Sequence, residues 1–160
     1  MSDDGQNFYP CRIIKLSELS NQLMELVEQA RKDIEQCMIS SLPPPTNKPF
    51  DLLAYDPQEE LVSKLQHEHQ KITSETKRLH HSYSVRLSWG DSAVGERYFT
   101  IIIPLTMVGD AKVKIKDSQG THFQDIDWNE PRYFYVTREV VFRVTGKGQL
   151  GALIMAFERG

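Results

Sequence analysis

Few side chains in this 160-residue chain can ligate a metal or carry a proton near neutral pH: five histidines (His67, His69, His80, His81 and His122) and two cysteines, Cys11 and Cys37. His67 and His69 stand two apart in a segment of helical periodicity, so they leave the axis in different directions. A helical metal pair needs a spacing of three or four. His80 and His81 are adjacent at a junction between helix and strand patterns, and His122 stands alone. These spacings do not converge three ligands, so no metal and no cofactor is expected. The cysteines form no Cys-x-x-Cys pair and are too few for the disulfide framework of a small secreted domain. Both are read as free thiols in a reducing compartment. Gly-rich phosphate loops and the Gly-x-Ser-x-Gly nucleophile turn are absent from the sequence, and no catalytic residue is assigned.

Charge excludes more than it suggests. The chain carries 19 basic and 22 acidic side chains, for a net charge of -3, so bulk electrostatics do not draw it to polyanions. Lys112, Lys114 and Lys116, with Lys147 later, could make a basic patch. A lysine face on one strand more often solubilises a sheet or blunts an edge, so nucleic acid is disfavoured as a partner. No apolar run approaches the roughly 20 residues of a membrane helix, and the acidic Met-Ser-Asp-Asp-Gly start lacks the basic and apolar regions of a signal peptide. The expected location is cytoplasmic or otherwise intracellular.

The elements that must position these residues fall into two halves. Residues 17–40 read as an amphipathic helix, with Leu16, Leu19, Leu23, Leu26, Ala30, Ile34 and Cys37 on one stripe and Ser17 as N-cap. Pro43-Pro44-Pro45 stops it and makes a stiff spacer. Asp56-Pro57-Gln58-Glu59 has the form of a helix start, with Asp56 as N-cap and Glu59 closing a capping box. The second helix is expected over 57–79, with a thin stripe of Leu61, Leu65, Ile72 and Leu79 in which His69 and Thr76 fill gaps. From Ser82 the period becomes two. Tyr83, Val85, Leu87 and Trp89 alternate with Ser82, Ser84, Arg86 and Ser88, as in a half-buried strand. Residues 90–96 read as a loop. Strands follow at 97–106, 111–116 (one apolar and one lysine face), 123–126, 133–136, 140–145 and 149–157, punctuated by turn residues. That is about seven strands with no helix between them, which excludes a parallel sheet. The fold class is therefore α+β: two N-terminal helices, then an antiparallel β-sandwich or jelly roll. The expected division is a helical region at 1–81, containing the proline spacer at 43–45, and a β-sandwich at 82–160.

The strand rhythm from Tyr83 to Phe157 resembles the double-stranded β-helix of cupins and of iron/2-oxoglutarate oxygenases. Ser88-Trp89-Gly90-Asp91, followed by 98–105, is similar to the strand pair that carries that family's His-x-Asp iron motif, and 133–157 is similar to the part that holds its distal histidine and arginine. The resemblance implies a jelly-roll fold. It also exposes departures: Trp89 stands where the first iron-binding histidine is expected and only Asp91 is retained. No histidine lies around Val140 to Phe142, and no arginine near Gly151 to Leu153. A facial triad needs two imidazoles and a carboxylate, so a copy with this sequence lacks the iron and its oxygenase chemistry.

Two functions follow as expectations. The first is a non-catalytic interaction or assembly protein that binds a protein partner or its own copies, as in a homo-oligomer or a particle such as a virion. In that reading Leu19, Leu23, Leu26 and Ile34 of the first helix form the interface. The second is a cupin-like enzyme or small-molecule binder of the iron/2-oxoglutarate type, with Trp89, Asp91, His122 and Tyr135 gathered inside the barrel as ligand-binding residues.

Overall fold

A computed structural model describes residues 11–40, 48–73, 78–95 and 99–158. The proline spacer at 43–45 and Thr76 lie outside these residues. The described residues form ten strands and two α-helices: β1 (Cys11–Lys15), α1 (Asn21–Ser40), β2 (Phe50–Leu52), α2 (Glu59–Thr73), β3 (Leu79–Leu87), β4 (Gly90–Val94), β5 (Phe99–Val108), β6 (Ala111–Asp117), β7 (Gln124–Ile126), β8 (Arg132–Val136), β9 (Val140–Gly146) and β10 (Gln149–Phe157). A 3-10 turn at Leu16–Glu18 joins β1 to α1. The strands form a six-stranded sheet ordered β1-β8-β5-β10-β3-β2 and a four-stranded sheet ordered β4-β9-β6-β7, and the pairings are antiparallel. The α+β class holds. Among the described residues no helix is long and apolar enough to cross a membrane.

Three strands exceed the expected seven, each for a local reason. β1 is short and sits at the sheet edge, where pairing with β8 matters more than propensity. β2 is only three residues long. Residues 90–94, expected as loop, are β4. Its glycine, serine and aspartate are poor strand formers, but full pairing with β9 overrides that preference. Residues 81 and 82, the expected division between the halves, are consecutive positions within β3.

The six-stranded sheet is covered on both faces. α1 and α2 pack on one side, against Ile101, Ile103, Tyr133, Tyr135, Leu153, Met155 and Phe157. The four-stranded sheet packs on the other, against Val85, Ile102, Phe134, Leu150, Ala152 and Ile154. β10 is consequently buried at every position, and two-sided burial explains its unbroken apolar sequence. Ser84 and Arg86, expected on a solvated face of β3, are 1% and 3% exposed. The connector before α2 folds over them. Ser84 Oγ donates to the Tyr55 carbonyl at 2.6 Å, and Arg86 donates to the Asp51 carboxylate at 2.7 Å. Cys11 is buried as a free thiol, and that burial pushes its pKa up to about 12.

Both helix starts differ from expectation. Ser17 lies in the 3-10 turn, and the cap of α1 is Ser20, whose Oγ accepts the Leu23 N–H at 3.2 Å. Glu68 of α2 accepts from both the N–H and the Oγ of Ser20, at 2.7 and 2.6 Å, tying the two helices together. Burial works to raise the Glu68 pKa, but these hydrogen bonds together with the nearby Lys71 and Lys64 hold the carboxyl below its ordinary value. α2 begins at Glu59, and its first backbone hydrogen bond runs from the Val62 N–H to the Gln58 carbonyl. Asp56 is therefore two residues upstream of the capping position and closes no box. α2 ends at Thr73, so Leu79 belongs to β3. The buried stripe of α1 is Leu23, Val27, Ala30, Ile34 and Met38, with Cys37 and Leu26 only partly covered.

α1 rests directly on Gly151 of β10. A Cβ there would lie 2.7 Å from Met38 Sδ and 2.8 Å from Ile34 Cγ2. The β5–β10 register shifts at this point, beside Pro104, as a bulge permits. Gly151→Val is expected to destabilise the fold by about 1–3 kcal/mol through overpacking. The urea midpoint reads this, and an unshifted midpoint would show that α1 yields freely. Ser20→Ala is expected to cost about 1 kcal/mol, whereas Ser17→Ala and Asp56→Ala are expected to stay within about 0.5 kcal/mol of the parent. A larger loss for Asp56→Ala than for Ser20→Ala in the same titration would reverse the assignment of the caps.

Candidate functional site

β3 to β10 alternate between the two sheets except for the paired β6 and β7, with β3, β5, β8 and β10 in one sheet and β4, β6, β7 and β9 in the other. Within the four-stranded sheet the β4–β9 pair carries Asp91, the candidate ligand retained in the sequence. Gly90 opens β4 at φ +124°, with Pro49 Cβ 3.0 Å from where its own Cβ would stand, so the chain enters the strand through a conformation glycine favours. Alternation from that point turns Ser92 and Val94 inward and Asp91 and Ala93 outward. On β9, Val140, Phe142 and Val144 turn inward and Arg143 outward.

Asp91 and Arg143 are direct cross-strand partners. Arg143 donates to both carboxylate oxygens, at 2.8 and 3.0 Å. These hydrogen bonds hold the Asp91 carboxyl below its usual range, and the same contact raises the Arg143 pKa. A bidentate guanidinium occupies the oxygens a metal would need.

Among the described residues, aromatic and aliphatic side chains pack between the sheets. Trp128, 2% exposed, donates its indole N–H to the Gly151 carbonyl at 3.2 Å. Its ring meets Phe142 edge-on at 5.9 Å, and Phe142 meets Phe134 at 6.4 Å. Among the described residues no group of three or more His, Cys, Asp or Glu could hold a metal ion. Among the described residues the iron that this fold carries in oxygenases finds no fitting set on this strand pair: the Asp91 carboxylate faces away from the interior, and the inward positions of β4 and β9 are serine, valine and phenylalanine.

The four residues expected to gather inside the barrel are dispersed. Trp89 is 71% exposed ahead of β4. Asp91 is on the outer face, and His122 is exposed in the loop between β6 and β7. Tyr135 is buried on the far side of the six-stranded sheet, where its ring meets His69 at 4.4 Å. His69 is itself buried, and its Nδ1 lies 2.8 Å from the Tyr133 hydroxyl. Burial raises the Tyr133 pKa. The residues expected at an interface are likewise placed inside: Leu23 and Ile34 have no exposure, Leu19 is buried and Leu26 is half-buried, all against the chain's own sheet. Sequence reasoning passed over Trp128 and Arg143. Trp128 stands between polar residues in a turn, which hides its burial. Arg143 could have been found by its outward place in the alternation of residues 140–145.

This arrangement defines a double-stranded β-helix, the jelly roll of cupins and 2-oxoglutarate oxygenases. Solved structures agree. A prolyl-4-hydroxylase of Pseudomonas putida superposes with TM-score 0.57 over 94% of this chain and 94% of its own, at 10% identity. IDO from Bacillus thuringiensis superposes with TM-score 0.55 over 98% of this chain and 94% of its own, also at 10% identity. The likeness is one of fold, and it takes in the N-terminal helices as well as the half from Tyr83 onward. No protein-family model and no curated protein sequence matches the chain.

The Asp91 pairing has a pH signature. A carboxyl whose folded pKa is depressed adds stability that is present above its unfolded pKa, near 4, and is lost as pH falls through the folded value. Asp91→Asn is therefore expected to lower the urea midpoint at pH 7 and to leave it unchanged at pH low enough to protonate Asp91 in the parent. An equal loss at both pH values would show that the pair is not what Asp91 contributes.

Proposed function

We propose that the chain is a non-catalytic interaction module: a double-stranded β-helix that serves as a scaffold and whose outer surfaces bind a protein partner or further copies of itself, within an intracellular assembly. The observation that carries this reading is the β4–β9 pair. Asp91 is clamped by Arg143 on the outside, and the interior beside it is packed with Val94, Val140, Phe142 and Trp128. The stripe of α1 is covered by its own sheet, so the binding surface lies elsewhere.

A small-molecule site is the second reading. It is favoured by an open groove of about 770 Å³ at the β2 edge, lined by Pro49, Phe50, Leu52, His81 and Tyr83. The groove is outside the sandwich, so a ligand there would not meet Asp91.

The test is direct. Purified chain is incubated anaerobically with Fe(II) and 2-oxoglutarate, desalted and analysed for iron, and then exposed to oxygen while succinate is followed. No retained iron and no succinate is the expected result. About one iron per chain, or sustained succinate formation, sinks the non-catalytic reading.

A further inference from the structure

The outer face of the four-stranded sheet is covered by neither helix. Cross-strand register places Asp91, Arg143, Lys114 and Asp125 in one transverse row. Lys112 and Lys116 stand on either side of Lys114 along β6, with Thr145 and Val141 beside them on β9. Lys112 and Lys114 are exposed, and Lys112 makes no ion pair among the described residues. Lys116 donates to the Gly120 carbonyl at 3.1 Å. The result is a positive strip on a chain of net charge -3.

The strip has acidic borders. Asp91 on β4 pairs with Arg143, and Asp125 on β7, 89% exposed, lies 3.8 Å from Lys114 Nζ. Between these borders are only β9 and β6, a width of about 10–15 Å at an inter-strand spacing of about 4.8 Å. That width admits one extended chain. A duplex or a flat anionic membrane would press on both aspartates. A second copy of this face would meet its own lysines, and like charges repel. A single-stranded nucleic acid would need aromatic faces for its bases. Among the described residues, Phe123 beside the strip has its ring covered by Arg143 at 4.2 Å and Lys116 at 5.4 Å, and Trp89, 71% exposed just ahead of β4, offers a single free ring rather than a run of them.

We propose that this face docks an extended acidic segment of a partner protein. Lysines at alternate positions of a strand repeat at about 6.8 Å, which is also the repeat of alternate side chains in a second extended chain. Carboxylates on every second residue of the segment pair with Lys112, Lys114 and Lys116 in register. The inference rests on the reading of the chain as an interaction module and names its partner's chemistry.

The experiment titrates the full chain against a fluorescent peptide of alternating glutamate and threonine, at about 50 and about 200 mM salt. Oligothymidylate and phosphatidylserine vesicles are titrated in parallel. Saturable peptide binding that weakens at the higher salt is expected, and on the order of tenfold of it should be lost in Lys112→Glu/Lys114→Glu. Melting of that variant should match the parent, because both side chains are exposed. If the double reversal misfolds, Lys112→Gln/Lys114→Gln makes the same comparison without added repulsion. Absent peptide binding, binding indifferent to these lysines, or tighter binding to oligothymidylate or vesicles overturns the proposal. Failure of the interaction reading itself registers separately, as iron retention or succinate, so a chain negative in both assays loses the strip and keeps that reading.

Discussion

Everything else in this protein depends on keeping both faces of the six-stranded sheet dry. β10 lies inside that sheet, flanked by β5 and β3, and its side chains alternate between two cores. Leu153, Met155 and Phe157 need the helices; Leu150, Ala152 and Ile154 need the four-stranded sheet. At roughly 25 cal/mol per Å² of apolar surface removed from water, neither layer can be dropped without exposing half of the strand. The close seat of α1 at Gly151 and the hydrogen bonds from Ser20 to Glu68 fix the helical layer over one of these faces, and the buried Arg86–Asp51 pair ties β2 to β3 at the sheet edge.

The same demand decides what the interior can do. A jelly roll that binds a metal or cosubstrate keeps polar ligands and free volume between its sheets. Here the aromatic rings of Trp128, Phe134 and Phe142 pack between the sheets, and the indole N–H donates to the Gly151 carbonyl. Polar chemistry is displaced to the outside, where Asp91 and Arg143 bridge β4 and β9 and lysines line β6.

Much of the fold was legible because period carries it. The alternation of Ala111, Val113 and Ile115 with three lysines specified both the strand and its outward face, and the 3.6-residue rhythm located α1. What period could not show was burial of polar residues by remote segments. Ser84 and Arg86 read as solvated because only the connector, thirty or so residues upstream, covers them. The caps failed for a related reason: Ser17 and Asp56 match local signatures, but the chain's path into each helix is set by packing, which moved the starts to Ser20 and Gln58. The inward ligand set was misplaced by parity. Asp91 falls one residue away from the inward register of β4, and a single step reverses the face of every side chain. Tyr135 went astray because a strand covered on both faces has no solvent side by which to orient it.

The pairing of β1 with β8 has a consequence for the order in which the chain can fold. Cys11 lies opposite Val136, and Lys15 opposite Arg132, so this edge closes over a sequence separation of roughly 120 residues. Loop-closure entropy grows only slowly with such length, but contacts of this range slow folding, because the intervening chain must be ordered before they form. A ribosome emits β1 long before its partner β8. Until then, β1 at the sheet edge waits for β8, while β9 and β10, one in each sheet, have yet to emerge.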